Sequence, residues 1–234
     1  MATEKTHNVD IVADDRDVDR TEPTVAMEQR ARPSAARELI ETLVIAALLF
    51  FGMRLIMPSV VVDGVSMVPS LSNNQHLLEN RLAYRHVDVN RLLNIIPGVH
   101  KEGTHDLYFF HPPKRGDIVV INPPVVHDKP FIKRIIGLPG DTILIRDGKV
   151  QVNGVPFTEN YISQAPTYTF PTDGKPYTLK PDEYFVLGDN RNASEDSHYF
   201  GPIHSSALMG KTFVSFWPVD EAGFLKRPPY PIPG

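Results

Sequence analysis

Charged side chains dominate the first part of the chain and then almost vanish between Leu39 and Met57. Leu39 and Ile40, Leu43 to Met53 without a break, and Leu55 to Met57 are interrupted only by Glu41, Thr42 and Arg54. At about 1.5 Å per residue such a segment makes a helix close to the roughly 30 Å of bilayer hydrocarbon. The pattern predicts a transmembrane anchor over residues 38–58, with a buried core helix as the alternative, since the unbroken apolar run is short for a span. A cleaved secretory signal fits less well: a long hydrophilic stretch precedes the segment, and no small-x-small site follows it promptly. Residues 1–37 lack the large apolar side chains that would offset chain entropy and read as a disordered tail. Arg30, Arg32 and Arg37 precede the helix, and beyond Arg54 no Lys or Arg occurs before Arg81, so the charge rule puts that tail in the cytoplasm and the remainder outside.

After Ser59 the pattern changes to short runs of β-branched and aromatic residues at Val60 to Val62, Asp117 to Ile121, Thr142 to Ile145, Val150 to Val152, Tyr184 to Leu187 and Thr212 to Phe216. Asp147-Gly148 and Asn153-Gly154 carry the residues of type I′ turns, which need positive φ at both central positions. The expected domain is therefore mostly β, an antiparallel sheet over residues 59–225 preceded by a single N-terminal transmembrane helix. Residues 86–113, with a Leu92, Leu93, Ile95, Ile96 cluster, read as an insertion or surface flap. The proline-rich residues 226–234 read as an extended tail.

Composition narrows the function. At 234 residues there is room for one sizeable domain with appendages. A net charge of -4 leaves no electrostatic footprint for DNA or RNA, so no nucleic-acid partner is expected. The absence of cysteine excludes disulfides, thiolate metal sites and a cysteine nucleophile. The 22 prolines favour strands and loops over a helical bundle. None of the nine histidines has a metal-ligand spacing such as His-Glu-x-x-His.

Two stretches carry candidate chemistry. Gly64-Val-Ser-Met-Val-Pro-Ser-Leu holds Ser66, and Phe131-Ile-Lys-Arg-Ile-Ile-Gly-Leu-Pro-Gly-Asp holds Lys133. A serine hydroxyl is a weak nucleophile and needs a base within hydrogen-bond reach. To serve, Lys133 must be neutral, and a free lysine with a pKa near 10.4 is not, so burial has to lower it. In a strand, Phe131, Lys133 and Ile135 share one face while Arg134 points to the other. Taken singly, Lys133 reads more readily as an exposed strand lysine, and the Ser66 segment fits an ordinary turn, so neither motif suffices alone. The dense polar run Gly188-Asp-Asn-Arg-Asn-Ala-Ser-Glu-Asp-Ser-His reads either as a solvated turn or as a buried network holding a site.

With Lys114-Arg-Gly-Asp-Ile-Val-Val added, these stretches occur in the order seen in the bacterial type I signal peptidases, which the chain resembles from about residue 38 to 218. The resemblance implies a membrane-anchored Ser-Lys endopeptidase with two antiparallel sheets and an extracytoplasmic catalytic domain. It would act on exported preproteins, cutting off signal peptides after small-x-small sites, with membrane lipid as its other partner and no metal or cofactor; the sequence leaves the oligomeric state open, with a monomer expected. It implies Ser66 as nucleophile and Lys133 as general base. Ser194 would hydrogen-bond the lysine amine, Asp196 would pair with Arg134, and Met67 would shape the site. Three positions depart from the commoner family pattern: Gly64 in place of a serine whose hydroxyl helps hold the oxyanion, Ser70 in place of threonine, and His198 in place of arginine. A histidine triad finds no support, because Ser66 lacks a Gly-x-Ser-x-Gly elbow. Two rival readings remain: a self-cleaving Ser-Lys regulator, and an inactive relative that binds signal peptides or serves as an assembly subunit.

Overall fold

The computed structural model describes residues 35–96, 98, 100, 106–108, 110–127 and 129–231. Most of the expected tail over residues 1–37, including Arg30 and Arg32, lies outside them, as do residues 101–105 of the expected insertion and 232–234 of the expected C-terminal tail. Helix α1 (Ala35–Ile56) starts three residues before the expected anchor, because Ala35, Ala36 and Glu38 are good helix formers and Arg37 pairs with Glu41 one turn on at 2.8 Å. It ends two residues before Pro58, which cannot continue it. None of its residues is buried, which removes the core-helix alternative, and it is long and apolar enough to cross a membrane.

The chain then forms β1 (Ser59–Val61), β2 (His76–Asn80), β3 (His86–Asp88), the short helix α2 (Val89–Leu93) and β4 (Asp106–Tyr108). β5 (Ile118–Ile121), β6 (Phe131–Gly137), β7 (Thr142–Arg146), β8 (Lys149–Val152), β9 (Val155–Pro156) and β10 (Tyr177–Thr178) follow. Last come β11 (Glu183–Leu187), a single turn of helix α3 (Ser197–Phe200), β12 (Ile203–His204), β13 (Leu208–Trp217) and β14 (Gly223–Phe224). One sheet has eight strands in the order β1-β2-β13-β5-β6-β11-β12, with β14 added to β13. A second has the order β10-β7-β8-β9, and β3 pairs with β4. Every pairing is antiparallel.

The expected hairpins form. Asp147 and Gly148, and Asn153 and Gly154, all have positive φ (53° and 71°, 53° and 76°), as the strand twist demands of two-residue loops. Within the expected insertion, residues 86–88 and 106–108 pair as the small separate sheet. β6 is central and buried on both faces. Ile135 packs with Val119, Tyr184 and Val186 on one side, and Ile136 packs with Ile143, Ile145, Phe185 and Leu187 on the other. A third cluster of Val62, Met67, Leu71, Leu77 and Ile118 underlies the loop between β1 and β2. Among the described residues the tail has no regular structure after β14, yet it is fastened: Arg227 reaches Asp117 at 3.3 Å, and the Tyr230 hydroxyl meets that of Tyr161 at 3.0 Å.

Candidate active site

Alternation along β6 sends Lys133 to the same face as Phe131 and Ile135, pairing it with Val119 of β5. Its side chain is buried, the residue being only 3% exposed, and Nζ donates to Ser66 Oγ at 2.9 Å. The ammonium group also stands 5.1 Å from the centre of the Phe131 ring. Burial lowers its pKa from the ordinary lysine value to about 8, against the carboxylates of Asp196, Glu195 and Asp189, which favour the charged form.

Ser66 sits on the loop between β1 and β2. The loop is pinched at its base where the Val62 N–H donates to the Gln75 carbonyl and the Asn74 N–H to the Val62 carbonyl, both at 2.9 Å. Met67 and Leu71, each 1% exposed, press its far side into the apolar cluster below. Gly64 has φ 97°, a conformation a side chain strains, and its N–H donates to Asn73 Oδ1 at 2.8 Å. The glycine at this departure from the commoner serine is thus favoured by the backbone of the turn.

The run after β11 clamps this loop from the other side. The Asn190 N–H donates to the Ser66 carbonyl at 2.9 Å, and Asn190 Nδ2 to the Val65 carbonyl at 3.2 Å. Gly188 makes the approach feasible: a Cβ there would lie 2.2 Å from Ser194 Oγ and 2.5 Å from the Ser66 carbonyl oxygen. Two of the expected contacts differ. Ser194 Oγ is buried with no hydrogen-bond partner and does not bond the lysine amine. Asp196 does not pair with Arg134. The guanidinium of Arg134 faces away from Lys133 and is filled by Asp189, with Nε to Oδ1 at 2.8 Å and Nη2 to Oδ2 at 2.6 Å. Leu187 is the cross-strand partner of Arg134, so Asp189, two residues later, arrives directly at that fork. Arg134 further donates to the Gly116 carbonyl and to Ser70 Oγ, tying β6 to the loop that carries Ser66.

Asp196 instead accepts from the Gly188 N–H at 2.8 Å and from the His198 N–H at 3.1 Å, and stands 2.7 Å from His198 Nδ1. The His198 ring stacks on Tyr168 at 3.8 Å. Sequence reasoning missed the roles of Asp189 and Arg191, though both lie in the quoted polar run. Arg191 is fully buried against Glu159, Nη1 and Nη2 each 2.6 Å from a carboxylate oxygen, while its Nε donates to the Gly188 carbonyl at 3.1 Å. The signal was available: charged residues directly after a fully buried strand must find partners.

Beside Ser66 opens a cavity of about 470 Å³, walled by Val60, Val62 and Met67 on one side and Phe131 and Ile132 on the other. Asp63 and Lys129 form an exposed ion pair of 2.7 Å at its rim. β1, on its flank, is an edge strand with one side unpaired. Among the described residues no group of three or more His, Asp or Glu is arranged to hold a metal.

The family model for signal peptidase, peptidase S26, matches residues 36–217. The chain is 38% identical to the probable signal peptidase I-2 of Synechocystis sp., over 80% of this chain and 76% of the relative. It is 33% identical to signal peptidase I of Leptolyngbya laminosa over 87% and 91%, and 30% identical to signal peptidase I of Bacillus amyloliquefaciens over 83% and 95%. A match that runs from the apolar helix through the last residue of β13 covers both the anchor and the sheet that carries the serine and the lysine: the chain belongs to the signal peptidase I family, peptidase S26.

Proposed function

We propose that Ser66 and Lys133 are the working dyad of this serine endopeptidase, and that its substrates are exported preproteins cut after small-x-small sites. The observation that carries the assignment is the 2.9 Å approach of a buried lysine amine to the serine hydroxyl. With a pKa of about 8, roughly one lysine in ten is neutral at pH 7. The neutral amine takes the Ser66 proton as Oγ attacks the scissile carbonyl carbon, and the resulting ammonium hands that proton to the departing amine. The mature protein leaves, and the signal peptide stays as an ester on Ser66. Lys133 then deprotonates a water, which attacks the ester carbon; the ester C–O bond breaks, the ammonium returns its proton to Ser66 Oγ, and the signal peptide leaves with a carboxyl end that ionises into solvent.

The Ser66 N–H makes no hydrogen bond among the described residues and would donate to the oxyanion. Main-chain pairing along the free side of β1 would hold an extended substrate, with its small side chains directed into the apolar cavity. Met67 shapes that cavity; Arg134, with Asp189, positions the strand that carries the lysine. Asp196 and Ser194 act through the Gly188 turn. The inactive-relative reading rested on Gly64, and the positive φ there accounts for the glycine on backbone grounds.

The test is cleavage of a preprotein by the purified full chain in detergent, beside Ser66→Ala and Lys133→Ala. One cut after the small residue, absent in both variants, is expected. Normal turnover by Lys133→Ala protein would sink the dyad.

A further inference from the structure

The carbonyl of Ile56, the last residue of α1, accepts from the Arg81 N–H at 3.1 Å, and the Pro58 carbonyl accepts from the Glu79 N–H at 3.0 Å. The chain leaving the apolar helix is therefore stitched to the end of β2, and the surroundings of Arg81 lie at the depth where the helix stops. A helix of 22 residues is about 33 Å long, enough to cross the roughly 30 Å of hydrocarbon and end among the phosphates.

At that depth lies a cavity of about 510 Å³, sharing no residue with the catalytic cleft, lined by Arg81, Arg85, Ser205, Ser206, Leu208 and Met209. Arg85 has no carboxylate partner among the described residues. Arg81 stands 3.4 Å from the fully buried carboxylate of Glu79, which offsets one charge and holds the guanidinium in place. With two arginines against one glutamate, the pocket keeps a single positive charge. The nearby Asp182 already accepts from the Ser205 N–H and faces His204 at 3.3 Å. Guanidinium groups beside two serine hydroxyls form a donor set for a tetrahedral oxyanion, and Leu208 and Met209 offer an apolar edge to the first methylenes of an acyl chain.

We propose that this cavity binds a phosphate-bearing anion, and that in the membrane its ligand is the headgroup of an anionic phospholipid. The inference rests on α1 spanning a bilayer and is independent of the dyad.

Full-length protein in detergent is titrated with short-chain phosphatidylglycerol, with phosphatidylcholine and with inorganic phosphate, and bound molecules are counted by native mass spectrometry. Saturable binding of one phosphatidylglycerol is expected, with phosphatidylcholine much weaker. Each basic residue near a membrane surface contributes about fivefold in affinity, so Arg85→Glu, which changes two charges, should weaken binding roughly 25-fold. Its cleavage of a soluble peptide should stay at the wild-type rate, which separates a lost lipid site from a misfolded protein. Inorganic phosphate that competes at equal affinity, and is itself lost in Arg85→Glu, keeps the phosphate site and moves its source to solution. Phosphatidylglycerol binding that never saturates, or an Arg85→Glu protein that binds it as wild type does, overturns the proposal.

Discussion

Lys133 is buried, lies 2.9 Å from Ser66 and titrates near 8, and those three properties conflict with ordinary lysine behaviour unless the neutral form is the useful one. The sign follows directly. Burial penalises the charged amine, so the folded pKa falls below the free value, and raising pH through about 8 converts the inert ammonium into the base. We expect kcat/KM on a peptide substrate to climb about tenfold per pH unit below pH 7 and to level off above about 8.5. Lys133→Arg should be silent at every pH, because guanidinium does not deprotonate. A flat profile between pH 6 and 9 would contradict the assignment. That Ser66 and Lys133 come together was legible in the sequence through the order of their motifs, and the structure brings the two side chains to 2.9 Å. The partner of Arg134 was not, because Asp189 and Asp196 both lie in one polar run, and only the register of β11 against β6 decides which carboxylate reaches the guanidinium.

Elements explain why those side chains meet. The turn after β11 lies flat against the serine loop only because residue 188 has no side chain. Gly188→Ala would drive a methyl group into the Ser66 carbonyl and Ser194, and overpacking of this kind costs about 1–3 kcal/mol. The displaced atom belongs to Ser66, the proposed nucleophile, so activity should fall by at least a hundredfold while the thermal midpoint drops only several degrees. Wild-type turnover would refute this. Strands with β-branched runs, such as β5, β7, β8 and β11, were readable within a residue or two. β2 was not: His-Leu-Leu-Glu-Asn has weak strand propensity, and pairing with β1 and β13 on its two sides makes it a strand. β13 runs ten residues where Thr212 to Phe216 was expected, since its Met-Gly-Lys start is held by pairing with β5 and β2 rather than by propensity.

For the molecule as a whole, one unburied apolar helix among the described residues is long and apolar enough to cross a membrane, which supports a single-pass membrane protein. With Arg37 before the span and the sheet after it, the N-terminal side is expected in the cytoplasm. Protease added to intact cells should therefore digest the β domain while a tag placed ahead of α1 survives. Survival of the domain instead would reverse the orientation. The same assembly bears on timing. Ser66 is met by Lys133 and then by Gly188 and Asn190, so it is a plain hydroxyl until the chain has been made some 120 residues past it. At ordinary synthesis rates that interval is on the order of ten seconds. The apolar α1 resembles the segments the enzyme removes, yet it is seated in the bilayer before any blade exists. Mature copies already at work in the same membrane would meet it too, so its survival has to rest on its own residues, with no small-x-small site following it promptly.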